Sequence, residues 1–330
     1  MSFLRQKLLV DNHWLNSHYI TIIKWIGLLG ILYLVIKFAD LTDVMASFAQ
    51  MSLMTFIGFM LMLLWSRFLY AFRWAMICTK GLGLYSVSSL FLLRVNLLAE
   101  FVGIAMPSSL GGEAVRVVKL SAQTGRLTRS TASIVADRLI GLISMGIIVL
   151  VFLPKLGSSL ISPSIHNLWV AIILLGVVML GLAFFWLSRR SKSLPLPRVI
   201  KELKLDPLFL IEITLVSIIG HFLFVFGHYL LFRDLQPFPF SVIVAVILTA
   251  QLARSIPISL LGISLSEGSL VALASLVGMK PEIALSVVLI TLANRYIFAL
   301  GGLIIELLRD GKAFFYISGK DVNTNLGAVE

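Results

Sequence analysis

The sequence predicts an all-α polytopic membrane protein with about six full spans and two opposed re-entrant helical hairpins arranged as an inverted repeat. Three observations lead there. Of 330 residues, 59% are apolar and only 13% charged, with a mean hydropathy of +1.00; a soluble chain carries about 25% charged residues and roughly 45–50% apolar ones. Six long apolar segments run uninterrupted, and two more are broken by proline and glycine. The lysines and arginines cluster in a way that assigns each loop a side. This composition excludes an ordinary cytosolic enzyme, a disordered tail and a disulfide-rich secreted module.

Residues 1–17 are basic and polar and read as a cytoplasmic amino terminus. The following apolar run is too long for a signal-peptide core and lacks an A-x-A cleavage site, so it is predicted to be an uncleaved first span. Continuous apolar segments lie near 18–38, 53–77, 130–153, 167–188, 208–232 and 282–308. The interrupted regions are 85–112, with Pro107, Gly111 and Gly112, and 238–279, with Pro257 and Gly262. Those prolines and glycines break helices and permit tight turns.

Charge decides whether the interrupted regions cross. Arg5 and Lys7 place the amino terminus inside. Two spans later Lys80 is inside, and so is the cluster Arg116, Lys119, Arg126 and Arg129. Region 85–112 must then enter and leave on the cytoplasmic face. The next pair of spans delivers the dense basic run Arg189 to Lys204 to the same face, where it also attracts anionic lipid. The tail, 311–330, carries Lys312 and Lys320 and is cytoplasmic if 238–279 is a second hairpin opening outward. This scheme leaves 16 basic residues inside and four outside (Lys37, Lys155, Arg233 and Lys280). The remainder of the membrane domain, 18–310, then divides into halves of opposite orientation, about 53–153 and 208–308. Inverted repeats with broken helices are a recurring plan for transporters.

The net charge of +11 is thus explained by topology and anionic headgroups; no nucleic-acid partner is expected. The lone cysteine, Cys78, excludes an internal disulfide and reads as a small apolar helix residue. His221 and His228, seven apart and each preceded by glycine, read as helix-packing or hydrogen-bonding residues. No metal or cofactor is expected, and no P-loop, H-E-x-x-H, G-x-S-x-G or C-x-x-C motif is present. Arg67 and Arg73, beside Trp65, Tyr70 and Trp74, read as anchors at the cytoplasmic interface.

Each ionisable group kept in hydrocarbon costs about 2.5–3.5 kcal/mol on insertion scales, so such groups point to cavities or pathways. Here they gather around the hairpins: Arg94, Asn96 and Glu100, then Glu113 and Arg116, then Asp137 and Arg138. The second half offers Gln251, Arg254, Glu267 and Arg295. Two readings stand side by side. In one, a polar crevice lies between the hairpins, its arginines hold an anionic group, and Glu113 and Glu267 orient them or carry protons. In the other, these residues form internal ion pairs that fasten hairpins to spans, and Arg94 snorkels to an interface.

The stretch Pro107-Ser108-Ser109-Leu110-Gly111-Gly112-Glu113 with Arg116, followed by Ala136-Asp137-Arg138 and Gly141, resembles the lysylphosphatidylglycerol synthase transmembrane-region (flippase-domain) family. Ile256-Pro257 with Glu267-Gly268 and Asn294-Arg295 resembles that family's second half. In its best-known members this region is joined to a soluble synthase domain and moves an aminoacylated lipid between leaflets. With no soluble segment above about 25 residues, the chain is expected to be a stand-alone member. The resemblance implies a lipid flippase or transporter in the cytoplasmic membrane, with both termini cytoplasmic. Its partners would be membrane lipids with an anionic or zwitterionic headgroup. The alternative is a membrane enzyme or accessory subunit of glycolipid or isoprenoid-lipid synthesis, with a lipid-modifying enzyme as partner.

Overall fold

Helix starts and stops follow from local sequence. A computed structural model describes residues 41–106, 110–152, 206–254, 259–260 and 263–310. The first described helix, α1, is Leu41–Gln50. Helix α2, Leu53–Met76, opens at Ser52, whose hydroxyl accepts from the Thr55 amide at 3.1 Å, and runs on through a wider turn, Ile77–Gly81. Helix α3, Ser89–Ala105, opens at Ser88 in the same way. Such caps satisfy amide groups that a helix start leaves unpaired. Helix α4, Leu110–Thr124, and α5, Leu127–Phe152, follow.

In the second half, α6 is Pro207–Leu235 and α7 is Phe240–Ala253. A two-residue antiparallel pairing of β1 (Ser259–Leu260) with β2 (Ile263–Ser264) leads into α8, Leu265–Leu276. The last helix, α9, is Pro281–Asp310. Helices α4 and α8 both stop at a glycine in the left-handed region, Gly125 at φ +66° and Gly278 at φ +81°. That conformation is nearly free only for glycine, so both chain reversals are written in the sequence.

Among the described residues, four helical segments are long and apolar enough to cross a membrane: Leu53–Gly81, Leu127–Phe152, Pro207–Leu235 and Pro281–Arg309. They coincide with the predicted segments 53–77, 130–153, 208–232 and 282–308. The predicted spans 18–38 and 167–188, the terminus 1–17, the basic run 189–204 and the tail 311–330 lie outside the described residues.

The two halves meet through α2 and α6, which run antiparallel. Thr55 bonds Asp234 at one end, Ser66 donates to the Gly220 carbonyl at 2.9 Å near the middle, and Lys80 pairs with Glu212 at 2.7 Å at the other end. Small residues let these helices touch. A methyl group at Gly227 would lie 2.6 Å from Leu63 Cδ1, and one at Gly220 would lie 2.8 Å from Tyr70 Cε1.

Each half then inserts a doubled-back helix pair. In the first, α3 and α4 lie side by side, with Arg116 bonded to Asn96 and Gly112 against Ala99. In the second, the Gln236 side chain before α7 bonds the Gly278 carbonyl and the Lys280 amide beyond α8, closing the open end of the pair. The sequence placed the first pair at 85–112, whereas its return arm is α4 and continues to Thr124. Basic residues there look like a loop in a charge count. Within α4, Arg116 and Lys119 each find a carboxylate on another helix, which permits helix to replace loop.

The packing order repeats between halves: α3 lies along α9, and α7 lies along α5. Helix α7 is enclosed, with Val242 to Leu248 all buried, and forms the centre of the larger apolar core with Phe59, Val225 and Val287. The approach of α3 to α9 depends on Gly302, where an added Cβ would sit 2.6 Å from the Leu97 carbonyl carbon. At neighbouring Gly301 an added Cβ meets nothing within 4 Å. Gly302→Ala is therefore expected to destabilise the protein by about 1–3 kcal/mol. Gly301→Ala is expected to be neutral or stabilising by roughly 0.5–1 kcal/mol. Thermal unfolding of the two variants in detergent checks the contrast.

Candidate functional site

Ion pairs run in file along α3, from one end of the helix bundle to its middle. At the end sits Glu306 of α9, 2% exposed, paired with Lys119 of α4 and with Arg94 of α3, Nε to carboxylate 3.6 Å. One turn deeper lies the first cluster of arginines. Arg73 of α2 donates from Nε to Asp137 of α5 at 2.9 Å and from Nη1 to Ser217 of α6 at 2.6 Å. Arg116 donates from Nε to Asn96 Oδ1 at 2.7 Å and reaches Asp137 at 3.7 Å and Glu113 at 3.3 Å. Its guanidinium lies over Trp74, 4.4 Å from the ring centre. Glu113 also pairs with Arg138, whose side chain is 59% exposed.

The second cluster begins at Glu100, one turn from Asn96 on the same face of α3. Glu100 pairs with Arg67 of α2, and with Arg295 of α9 at 3.6 Å and Arg254 at the end of α7 at 3.9 Å. Arg295 donates to Glu267 Oε1 at 2.9 Å. The other Glu267 oxygen accepts from the Ser264 amide and hydroxyl, both at 2.6 Å, so this carboxylate also caps α8. Arg67 donates to Asn294 Oδ1 at 3.2 Å.

Depth follows from the helix count. Arg67 is 14 residues from either end of Leu53–Gly81, and Arg295 is 14 residues from either end of Pro281–Arg309. At 1.5 Å per residue each lies about 21 Å from both helix ends. Each cluster holds three arginines and two carboxylates: Arg73, Arg116 and Arg138 with Glu113 and Asp137, then Arg67, Arg254 and Arg295 with Glu100 and Glu267. Among the described residues, both keep one positive charge in excess. In each, one arginine is the most exposed of the three: Arg138, and Arg254 at 36%.

These pairs gather nine of the ten predicted binding residues into two clusters one turn apart. The tenth, Gln251, lines a small cavity beside the second cluster with Arg254, Glu267 and Arg295. Gly112 gives α4 its close approach to α3, since a Cβ there would meet the Ala99 carbonyl oxygen at 2.5 Å, and Gly111 faces Met106. Pro107, Pro257 and Gly262 lie outside the described residues. The interface reading of Arg67 and Arg73 is overturned: both sit inside the clusters, and Arg73 is 5% exposed. For Arg67 the signal was available, because it stands at the midpoint of a 29-residue apolar segment, too far from either surface for a side chain to snorkel. Arg94 is likewise held by Glu306.

His221 bonds the Tyr70 hydroxyl at 2.8 Å and the Gly141 carbonyl at 3.1 Å, tying α6 to α2 and α5. His228 bonds Thr291 of α9 at 3.1 Å.

The family model described as the lysylphosphatidylglycerol synthase TM region matches residues 20–301. The chain belongs to that family. No curated protein and no solved structure matches it. Membership in the lysylphosphatidylglycerol synthase TM region family makes this a multi-pass membrane protein of a lipid-related family. The match includes both arginine clusters and stops just short of Glu306.

Removing one partner of a buried pair leaves the other charge uncompensated, at a cost of about 3–5 kcal/mol. Asp137 serves two buried arginines, so Asp137→Asn is expected to lose stability in that range. Combining Asp137→Leu with Arg73→Met is expected to recover part of it, because Arg116 keeps Glu113. Denaturation in mixed micelles provides the measurement.

Proposed function

We propose that the protein is a transporter rather than an enzyme, moving the headgroup of a phospholipid or lipid-linked anion between leaflets while the tails stay in the bilayer. The observation that carries this reading is the file of charge along α3, which reaches mid-depth and retains a positive excess at two levels. Purely structural pairing needs no such excess, since each unbalanced arginine in a bilayer costs about 2.5–3.5 kcal/mol. A ligand phosphate supplies the missing negative charge, and arginine matches phosphate with two parallel hydrogen bonds.

In this reading α3–α4 and α7–α8 are re-entrant hairpins opening to opposite faces, and both termini are cytoplasmic in the cytoplasmic membrane. The headgroup meets exposed Arg138 first and Arg295 at mid-depth, while Glu113 and Glu267 hold those guanidiniums in place. Beyond the second cluster, the buried run Val242 to Leu248 of α7 seals the far side. The structure described above then corresponds to a state open toward the Glu306 end. Passage to the other side requires the hairpin tips to exchange exposure, which is the alternating access that inverted repeats support.

Reconstituted vesicles test this directly. Wild-type protein is expected to move a fluorescent phospholipid headgroup across the bilayer, and Arg138→Ala with Arg295→Ala is expected to slow it by at least about tenfold, the loss of one or two charge-assisted hydrogen bonds. Equal rates for wild type and the double variant over several lipids would show that the arginines are scaffold only.

A further inference from the structure

We infer that His228 carries a proton that crosses together with the anion, so that transport is driven by a pH difference. The inference rests on the transport reading above and names what powers that same site. Three observations converge on it.

The first is how the ring is held. His228 of α6 is 2% exposed. Its Nδ1 faces the Phe224 carbonyl at 2.8 Å, which can only accept, so Nδ1 carries a hydrogen. Its Nε2 faces the Thr291 hydroxyl at 3.1 Å, and that hydroxyl also lies 2.8 Å from the Val287 carbonyl. With the ring neutral, Thr291 donates to Nε2. With the ring protonated, Nε2 donates to Thr291 and the hydroxyl turns to Val287. One arrangement of heavy atoms thus satisfies both protonation states, as a carrier requires. A histidine kept only for packing needs one of them, and histidines inside membranes recur in proton relays.

The second observation is access. His228 borders the cavity beside the second cluster, whose volume of about 30 Å³ leaves room for about two waters. Gln251, Ser266 and Thr291 supply polar groups to hold them. The cavity is too small for a headgroup, which stays among the cluster arginines, but wide enough for waters that pass a proton.

The third is the charge around the ring. Helix α2 presents Phe59, and α6 itself Phe224, with ring centres 5.5 and 4.5 Å away. Helix α7 presents Arg254, α8 Glu267 and α9 Arg295. Among the described residues that line the cavity, none from α2 or α5 titrates. Arg67 of α2 and Glu100 of α3 belong to the same cluster. Glu267 is committed to Arg295 and Ser264. With the cluster empty, a proton on His228 adds to an excess of positive charge. A bound phosphate cancels that excess and favours the imidazolium. Such linkage is reciprocal, so the proton favours the anion equally. The proton enters from the aqueous side on which the headgroup binds, resides on Nε2, and leaves to water on the other side when the headgroup is released. A monoanion and one proton carry no net charge together, so the membrane potential does not act on the pair.

Two measurements on the full chain test this. In weakly buffered detergent with a pH indicator, adding phosphatidylglycerol, a monoanion, is expected to draw about one proton from solution per bound lipid. His228→Gln and Thr291→Val are each expected to cut that uptake at least about threefold, with thermal melts confirming that each is folded. In vesicles with a trace of fluorescent phosphatidylglycerol and the potential clamped, a one-unit pH difference is expected to enrich the probe up to about tenfold in the leaflet on the alkaline side. His228→Gln is expected to abolish the enrichment. Lipid binding without proton uptake overturns the inference, as does unchanged uptake in either folded variant. Translocation that ignores the pH difference, or follows an imposed potential at equal pH, overturns it and leaves transport standing. Uptake that depends on His228, without any translocation, supports the proton site and overturns transport.

Discussion

The whole arrangement depends on the matching of buried arginines with carboxylates that arrive from other helices. Glu100 is the clearest case. It stands near the tip of α3 and holds arginines from α2, α7 and α9, so that one carboxylate joins both halves of the protein. A guanidinium alone in hydrocarbon is too expensive to keep. Once paired it becomes a constraint, because moving any one of these helices strands a charge. Asp137 does the same between α2, α4 and α5.

Such contacts need backbones close enough for short side chains to meet, and small residues supply that. Gly112 brings α4 onto α3, and Gly302 brings α9 onto α3. Gly220 and Gly227 bring α6 onto α2. Lipid tails are as apolar as leucine, so close packing and polar pairing, not apolar attraction, hold membrane helices together. The α2–α6 pair also sets the symmetry: the helices that open the two halves run in opposite directions, and the doubled-back pairs follow them. Arg67 of α2 and Arg295 of α9 reach the same depth from different halves of the protein.

Much of this was legible in the sequence, for reasons of scale. Four of the spans are long, apolar and ended by proline or a polar turn, so their limits fall within a few residues of the helices. The breaks were expected at Pro107 with Gly111 and at Pro257 with Gly262, of which only Gly111 lies among the described residues. What was hidden is partnership. Lys119 pairs with Glu306, 187 residues away, and Arg67 with Glu100, 33 residues away. No periodicity within a segment reports such a pair. Arg67 and Arg73 therefore passed for interface anchors beside their aromatic neighbours, and α4 passed for a cytoplasmic loop because its basic residues were counted for topology. The capping role of Glu267 shows in the Ser264-x-x-Glu267 spacing, but its bond to Arg295 does not.

The central claim is that two hairpins of opposite orientation bring arginines to mid-depth, and side-specific cysteine labelling addresses it most directly. The native Cys78 is buried and gives a quiet background. Single cysteines at Ser88 and Gln123 mark the two ends of the first hairpin, and at Arg233 and Lys280 the two ends of the second; all four positions are exposed. A membrane-impermeant maleimide applied to sealed, oriented vesicles is expected to reach Ser88→Cys and Gln123→Cys from one face only, and Arg233→Cys and Lys280→Cys only from the other. Labelling of Ser88→Cys and Gln123→Cys from opposite faces, or of all four from the same face, would contradict the inverted arrangement and remove the basis for a shared mid-membrane site.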